Sequence, residues 1–104
     1  MVKVIETKDF QDWIQNLKDP EARARISFKL TQWRKTGRLS GDIKPLGGGL
    51  SELRIHCGAG YRIYFIQKGD SLVLITSAGR KRSQKRDIAR ARKIAQDLRE
   101  ELQW

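Results

Sequence analysis

Four side chains able to bind phosphate or to transfer a proton lie close together in the middle of the chain. Arg54 and His56 alternate with apolar residues in one segment, and Arg62 and Tyr64 do so in the next. The segments are separated by Gly58-Ala59-Gly60, whose glycines favour a tight hairpin turn. Because strand residues two apart share a face, the four side chains are expected on one exposed, cationic face. This face contains the only histidine of the protein.

The overall charge indicates an anionic partner. The 104 residues include 22 Lys and Arg against 12 Asp and Glu, which gives a formal net charge of +10 and a pI of about 10.3. Such a balance favours polyanions, with nucleic acid first among them.

The sequence gives little basis for disulfide, metal or membrane chemistry. Cys57 is the only cysteine and lies on the predicted apolar face of the strand, so we interpret it as a small buried residue. It is adjacent to His56, so the two side chains point to opposite strand faces and do not form a metal site. No cofactor is expected. No long apolar run and no secretory leader is recognisable, which predicts a cytoplasmic protein without membrane contact.

The segments before the hairpin predict one strand and two helices. Residues 2–5 are β-prone, and Thr7 is a suitable N-cap for a first helix. Asp19-Pro20-Glu21 combines a capping side chain, a proline at the first helical position and a first-turn carboxylate, so a second helix is predicted to begin there. Gly37 is expected to end it. The apolar residues recur at helical spacing: Phe10, Trp13, Ile14 and Leu17 in the first helix, and Ala22, Ile26, Leu30 and Trp33 in the second.

Residues 38–50 are expected to form a loop, because they contain four glycines and a proline. Lys44 in this loop is expected to lean over the hairpin face. After the hairpin, residues 71–76 form an apolar run typical of a central strand. Residues 80–86 follow, five of them cationic, and predict an anion site near the end of that strand. A last helix is predicted to begin at Ser83.

The predicted element order is β-α-α-β-β-β-α, in one domain over residues 1–104. This order predicts an α+β fold, in which an antiparallel sheet carries an N-terminal helical hairpin and a C-terminal helix. The helices are expected on one side of the sheet.

Three segments resemble one known family. The hairpin SELRIHCGAGYRIYF, the upstream GDIKPLGGG and the downstream AGRKRSQKRDIARARKIA are similar to the RelE/ParE toxin superfamily, in particular to its HigB-like, phage Gp49-like branch. The resemblance spans roughly residues 2–96 and implies a RelE-like fold. It also implies the toxin of a bacterial toxin–antitoxin pair, neutralised by a helix-turn-helix antitoxin of HigA or Xre type. RelE-type members cleave mRNA without metal, commonly on the ribosome, whereas ParE-type members inhibit DNA gyrase.

The resemblance also implies site residues. Arg54 and His56 match the cationic strand residues of the RelE-type cleft, Arg62 matches the hairpin arginine, and Lys81 matches the basic residue after the last strand. The C-terminal tyrosine of some RelE-type enzymes is missing, and Asp87 stands in that region.

These residues allow a mechanism for metal-independent RNA cleavage. Such cleavage needs a base for the 2′-hydroxyl proton and cations that stabilise the charged phosphorane. His56 is the candidate acid or base, because flanking arginines disfavour its protonation. Arg62 and Lys81 are candidates for binding the scissile phosphate, and Tyr64 for stacking on a base. The further RNA-binding candidates are Lys44, Arg80, Arg82 and Gln84.

Three alternatives stay open at this point. His56 can be an ordinary surface histidine. The protein can act as a ParE-like inhibitor that contacts gyrase and needs no proton-transfer group. It can also be a non-catalytic nucleic-acid-binding module, which would show salt-dependent binding but no cleavage.

Overall fold

The computed structural model describes residues 2–104 and shows an α+β fold with three α-helices and five strands. Its elements are β1 (Lys3–Glu6), α1 (Lys8–Gln15), α2 (Pro20–Thr36), β2 (Asp42–Gly47), β3 (Leu50–Ile55), β4 (Tyr61–Lys68), β5 (Leu72–Arg80), a 3₁₀ turn (Lys81–Ser83) and α3 (Gln84–Leu102). The predicted fold class, N-terminal helical hairpin and C-terminal helix are confirmed. The predicted order lacked one strand. No helix in this part of the chain is both long and apolar enough to span a membrane.

The two N-terminal helices begin where capping chemistry predicts. The Thr7 hydroxyl accepts a hydrogen bond from the Phe10 N–H at 3.2 Å, and the Asp19 carboxylate accepts one from the Ala22 N–H at 3.1 Å. Gly37 ends α2 with a φ of 70°, a left-handed conformation that glycine adopts without steric cost. Local sequence therefore defines these helix ends.

The sheet has the strand order β1-β5-β4-β3-β2. Neighbouring strands from β2 to β5 are antiparallel, but β1 pairs in parallel with β5. The expectation of a purely antiparallel sheet is therefore wrong at this edge. The reason is long-range, because β1 finds its partner only after two helices and three further strands have intervened.

The predicted loop over residues 38–50 contains the missed strand β2. Pro45 cannot donate a hydrogen bond to a neighbouring strand, but β2 is an edge strand and pairs with β3 alone. The pairing register shifts between Pro45 and Gly47. Arg92 of α3 donates hydrogen bonds to the carbonyls of Leu46 and Gly47, at 2.7 and 3.0 Å, and so fastens this edge to the helix.

Helices cover both faces of the sheet, so the expectation that they pack on one side is wrong. Helices α1 and α2 bury one face around Trp33, Phe65 and Ile63. Helix α3 buries part of the other face, where Ala91 and Ala95 pack against sheet residues. The second cluster contains Leu50, Tyr64, Ile66, Leu74, Ala91 and Ala95. The alternating residues of β4 are thus buried on either side, which leaves no exposed face on its central part.

Candidate nucleic-acid interface

One row of residues crosses four strands on the face that α3 covers. Asp42 of β2 pairs with Arg54 of β3. Arg54 pairs with Arg62 of β4, which in turn pairs with Gly79 of β5. The carboxylate of Asp87 lies against Gly79, where an added Cβ would collide with it. The expectation that Arg54 and Arg62 share a face is confirmed by this register. We call Asp42, Arg54, Arg62 and Gly79 the polar row.

Asp42 brings together two of the predicted site residues. Its Oδ1 accepts a hydrogen bond from Arg54 at 3.0 Å, and its Oδ2 lies 2.5 Å from His56 Nε2. The hydrogen bonds with His56 and Arg54 lower the pKa of the Asp42 carboxyl below its usual range. Sequence reasoning missed Asp42, because only the pairing of β2 with β3 places it beside these cations. The His56 imidazole therefore contacts a carboxylate, whereas the sequence had predicted only arginines as its charged neighbours.

His56 follows directly after β3 and points to solvent. Its side chain is 74% exposed, whereas that of Arg54 is one-third exposed. An exposed imidazole held by a carboxylate through Nε2 has its Nδ1 edge available to another molecule. The position of His56 is therefore compatible with proton transfer to or from a bound ligand.

Tyr64 does not lie on an exposed face, and the expectation that it stacks on RNA from that face is wrong. Its side chain is fully buried beneath α3. Burial is the main cause that raises its pKa far above the usual value, with further contributions from the carboxylates of Glu52 and Asp87. Sequence alternation failed here because α3 covers the second face of β4.

Arg62 is also buried, contrary to the expected exposure, with 9% of its surface accessible. Its Nε lies 3.7 Å from Oε2 of Glu52, a carboxylate with no exposed surface. Within residues 2–104, no hydrogen bond from the two terminal nitrogens of Arg62 is found, and neither nitrogen is fully buried. Nε of Arg62 has no hydrogen-bond partner among the described residues, so its contact with Glu52 is an ion pair, and the terminal nitrogens keep their donors available.

Gln84 begins α3 and is half-buried. Its side-chain amide donates a hydrogen bond at 3.3 Å to Oε2 of Glu52, which is a buried carboxylate. Lys44 lies exposed on β2, where it is the register partner of Glu52. Base or phosphate contacts by Gln84 and Lys44 stay predictions.

Lys81 follows β5 and lies beside the glycine turn that joins β3 to β4. Its backbone N–H donates to the Gly60 carbonyl at 2.8 Å, and the residue is exposed. No described contact joins its side chain to Arg54, His56 or Arg62. The role of Lys81 at a phosphate stays a prediction.

A basic groove lies beside the start of α3. Arg80, Arg82, Lys85 and Arg86 line it, together with Ser83 and Ala89. Sequence reasoning selected Arg80 and Arg82 but did not include Lys85 and Arg86, although all of them belong to the same basic run. Such a groove has the charge expected of a path for a nucleic-acid strand.

The described residues offer neither a reactive thiol nor a cluster of metal ligands. Cys57 is half-buried, and burial is the main cause that raises the pKa of its thiol. Across residues 2–104, no three His, Cys, Asp or Glu side chains are grouped closely enough to hold a metal ion.

Comparison with known proteins gives three relationships. Residues 12–99 match the family model described as phage-derived protein Gp49-like. A protein of Haemophilus influenzae strain Rd, described as uncharacterised, is 35% identical over 97 residues, which cover 93% of this chain and 96% of that protein. A chain in the crystal structure of the RelB–RelE antitoxin–toxin complex from Methanococcus jannaschii has the same fold. It superposes with a TM-score of 0.62 at 21% identity, and the match covers 78% of this chain and 94% of that one.

Proposed function

Because this chain belongs to the family of phage-derived Gp49-like proteins, we propose that it is the toxin of a bacterial toxin–antitoxin pair and cleaves mRNA without metal. The fold shared with a chain of the RelB–RelE complex supports the toxin assignment. The net charge of +10 supports an RNA substrate.

One observation supports cleavage above the alternatives. An exposed imidazole, His56, is bound by Asp42, which also binds Arg54, and Arg54 is paired with Arg62. A proton-transfer group therefore shares a carboxylate with one guanidinium group, and a second guanidinium lies at the paired position of the next strand. A protein that only blocks a target does not need a proton-transfer group. The same carboxylate that contacts His56 orients its ring, as a carboxylate does for a catalytic histidine elsewhere.

The proposed reaction is attack of the RNA 2′-oxygen on the neighbouring phosphorus. His56 removes the 2′-hydroxyl proton through Nδ1, while the terminal nitrogens of Arg62 and the ammonium of Lys81 stabilise the negative charge on the phosphorane. The P–O5′ bond breaks, and the 5′-oxygen takes a proton from solvent water and leaves as a hydroxyl, while His56 returns its proton to solvent. The products are a 2′,3′-cyclic phosphate and a 5′-hydroxyl end.

The proposed partners follow from the charge of the surface. The basic groove binds the phosphates of the RNA strand on either side of the cleaved bond, in a substrate presented by the ribosome. A helix-turn-helix antitoxin neutralises the protein by covering the polar row and the groove with an acidic or apolar segment. Both partners place the protein in the bacterial cytoplasm.

The test is brief induction in bacterial cells, followed by primer extension on cellular mRNA. We expect discrete cleavage sites for the wild type. His56→Ala should lower the cleavage rate by about 10²–10⁴ if the imidazole transfers a proton. Lys35→Ala, which removes an exposed cation from the last turn of α2, is the matched surface control and should cleave normally.

Two outcomes would overturn this function. Growth arrest with intact mRNA and inhibited DNA supercoiling would assign the protein to gyrase inhibition. A His56→Ala variant that folds and loses less than fivefold in rate would remove the imidazole from proton transfer.

A further inference from the structure

Two charged side chains are buried within residues 2–104, and they form an ion pair: Arg62 of the polar row and Glu52 beside it. Glu52 has no accessible surface, and Arg62 is its nearest cation, with Nε at 3.7 Å from Oε2. Burial of a carboxylate is strongly unfavourable unless a cation or hydrogen bonds compensate it. A core position of this kind is normally apolar, so the charge calls for a specific explanation.

The surroundings of Glu52 are under-bonded. Its Oε2 accepts one hydrogen bond, from the Gln84 amide at 3.3 Å, and its Oε1 accepts none from residues 2–104. In the same part of the chain three more buried polar atoms lack a hydrogen-bond partner, namely Nε of Arg54, Nε of Arg62 and the Tyr64 hydroxyl. All of them belong to Glu52 itself, to its register partner, or to the arginine pair one step along the same face. The buried polar atoms without partners are therefore concentrated around Glu52 and are not spread through the core.

We infer that Glu52 is a positioning residue, whose buried charge attracts the Nε side of Arg62 across an ion pair of 3.7 Å so that the terminal nitrogens point toward the phosphate. This inference rests on the proposed RNA cleavage. A guanidinium is planar, so attraction of its Nε edge by a buried carboxylate turns the other two nitrogens to the opposite side. Arg62 then meets a phosphate in a set orientation and loses little freedom on binding.

Burial also excludes a direct role for Glu52. A carboxylate with no accessible surface does not touch RNA, so it neither removes a proton from the substrate nor repels the phosphate at contact distance. The Gln84 contact connects the same carboxylate to the first residue of α3. Glu52 therefore contacts both Arg62 of the hairpin and Gln84 at the start of α3.

The kinetic test is a double-mutant cycle measured as single-turnover cleavage of an RNA oligonucleotide. Glu52→Gln keeps the shape and removes the charge, and it should lower the rate at saturating RNA at least tenfold. In an Arg62→Ala background the same change should cost less than twofold, because its effect passes through Arg62. Glu101→Gln makes the identical change on the exposed last turn of α3 and should have no effect. Equal losses in both backgrounds, or no loss in either, would overturn the inference.

A second measurement needs no variant and no activity. The Nε–H proton of Arg62 in the wild-type protein should exchange with solvent at least tenfold more slowly than that of Arg25, whose pair with Glu21 is exposed. Equal exchange rates would show that Arg62 is not held and would overturn the inference. A wild-type protein that cuts no RNA but protects Arg62 would instead contradict only the proposed function and keep the placement of Glu52.

Discussion

Replacing Tyr64 by phenylalanine removes one buried oxygen atom and leaves the ring in place. The hydroxyl makes no hydrogen bond in the described part of the chain, and the side chain has no accessible surface. A buried polar group without a partner costs about 1–3 kcal/mol. Tyr64→Phe should therefore raise the free energy of unfolding by an amount in this range, about 1–3 kcal/mol. It should leave RNA cleavage unchanged within twofold, because the hydroxyl does not reach solvent.

The assay is thermal unfolding, with a matched tyrosine as the control. In a domain of this size, 1 kcal/mol shifts the melting temperature by about 4–8 °C, so the gain is easy to measure. Tyr61 is also buried, but its hydroxyl donates to Asp19 at 2.9 Å. Tyr61→Phe makes the same chemical change and should destabilise the protein. The two variants are thus expected to change stability in opposite directions.

The same reasoning predicts the alkaline limit of stability. Burial raises the pKa of Tyr64 and, to a smaller extent, that of Tyr61 above the unperturbed value of 10.0. The folded state then holds phenolic protons that the unfolded chain releases, so stability falls as pH rises above about 10. Tyr64→Phe should remove part of this slope. Destabilisation of Tyr64→Phe comparable to that of Tyr61→Phe would refute the reasoning, since it would mean that the hydroxyl has a partner.

Three further predictions concern the polar row, His56 and the basic groove. Gly79→Ala should destabilise the protein by about 1–3 kcal/mol, because the new methyl meets the Asp87 carboxylate, and adding Asp87→Ala should recover much of the loss. The pKa of the Asp42 carboxyl, measured by NMR, should lie below its usual range, and His56→Ala should raise it. The stability contributed by the contact of Asp42 with His56 is present at neutral pH and is lost as pH falls through the lowered pKa of Asp42. Arg82→Ala should reduce the salt dependence of RNA binding by about 0.7 in the slope of log K against log salt.

Each of these has a clear contrary result. A fully stable Gly79→Ala variant would show that Asp87 does not rest on this backbone. An Asp42 pKa that is unchanged by His56→Ala would show that the imidazole does not donate to it in solution. An unchanged salt slope for Arg82→Ala would remove the basic groove from the RNA path.

The ends of the first two helices were predicted correctly because capping depends only on residues near each end. Thr7, Asp19 and Gly37 each act within a few residues of their own position, and the structure places the helix ends where they indicated. The hairpin was predicted for the same reason, since alternation and the glycine turn are both short-range. The pairing of Arg54 with Arg62 followed directly from that register.

The missed features depend on residues distant in sequence. Residues 38–50 were predicted as a loop because Pro45 and the glycines at positions 41 and 47–49 are poor strand formers. An edge strand such as β2 tolerates them. Asp42 could not be recognised as a partner of His56 without that strand. The burial of Tyr64 likewise depends on α3, which packs on the opposite face from the other two helices. Period-2 alternation distinguishes two faces of a strand but does not say which of them another element covers.

The pairing of β1 with β5 determines when the sheet can be completed during synthesis. The Thr7 hydroxyl donates to the Thr76 carbonyl across 69 residues, and the backbone of β1 pairs with residues of β5. A nascent polypeptide therefore cannot close its sheet before Leu72–Arg80 leaves the translating ribosome. Gly79 and the whole of α3 emerge still later than most of β5, so a product terminated before them has the hairpin arginines with Asp42 and Glu52 but lacks the helix that covers this face. The sheet is therefore covered on both faces only after the residues of α3 have been synthesised.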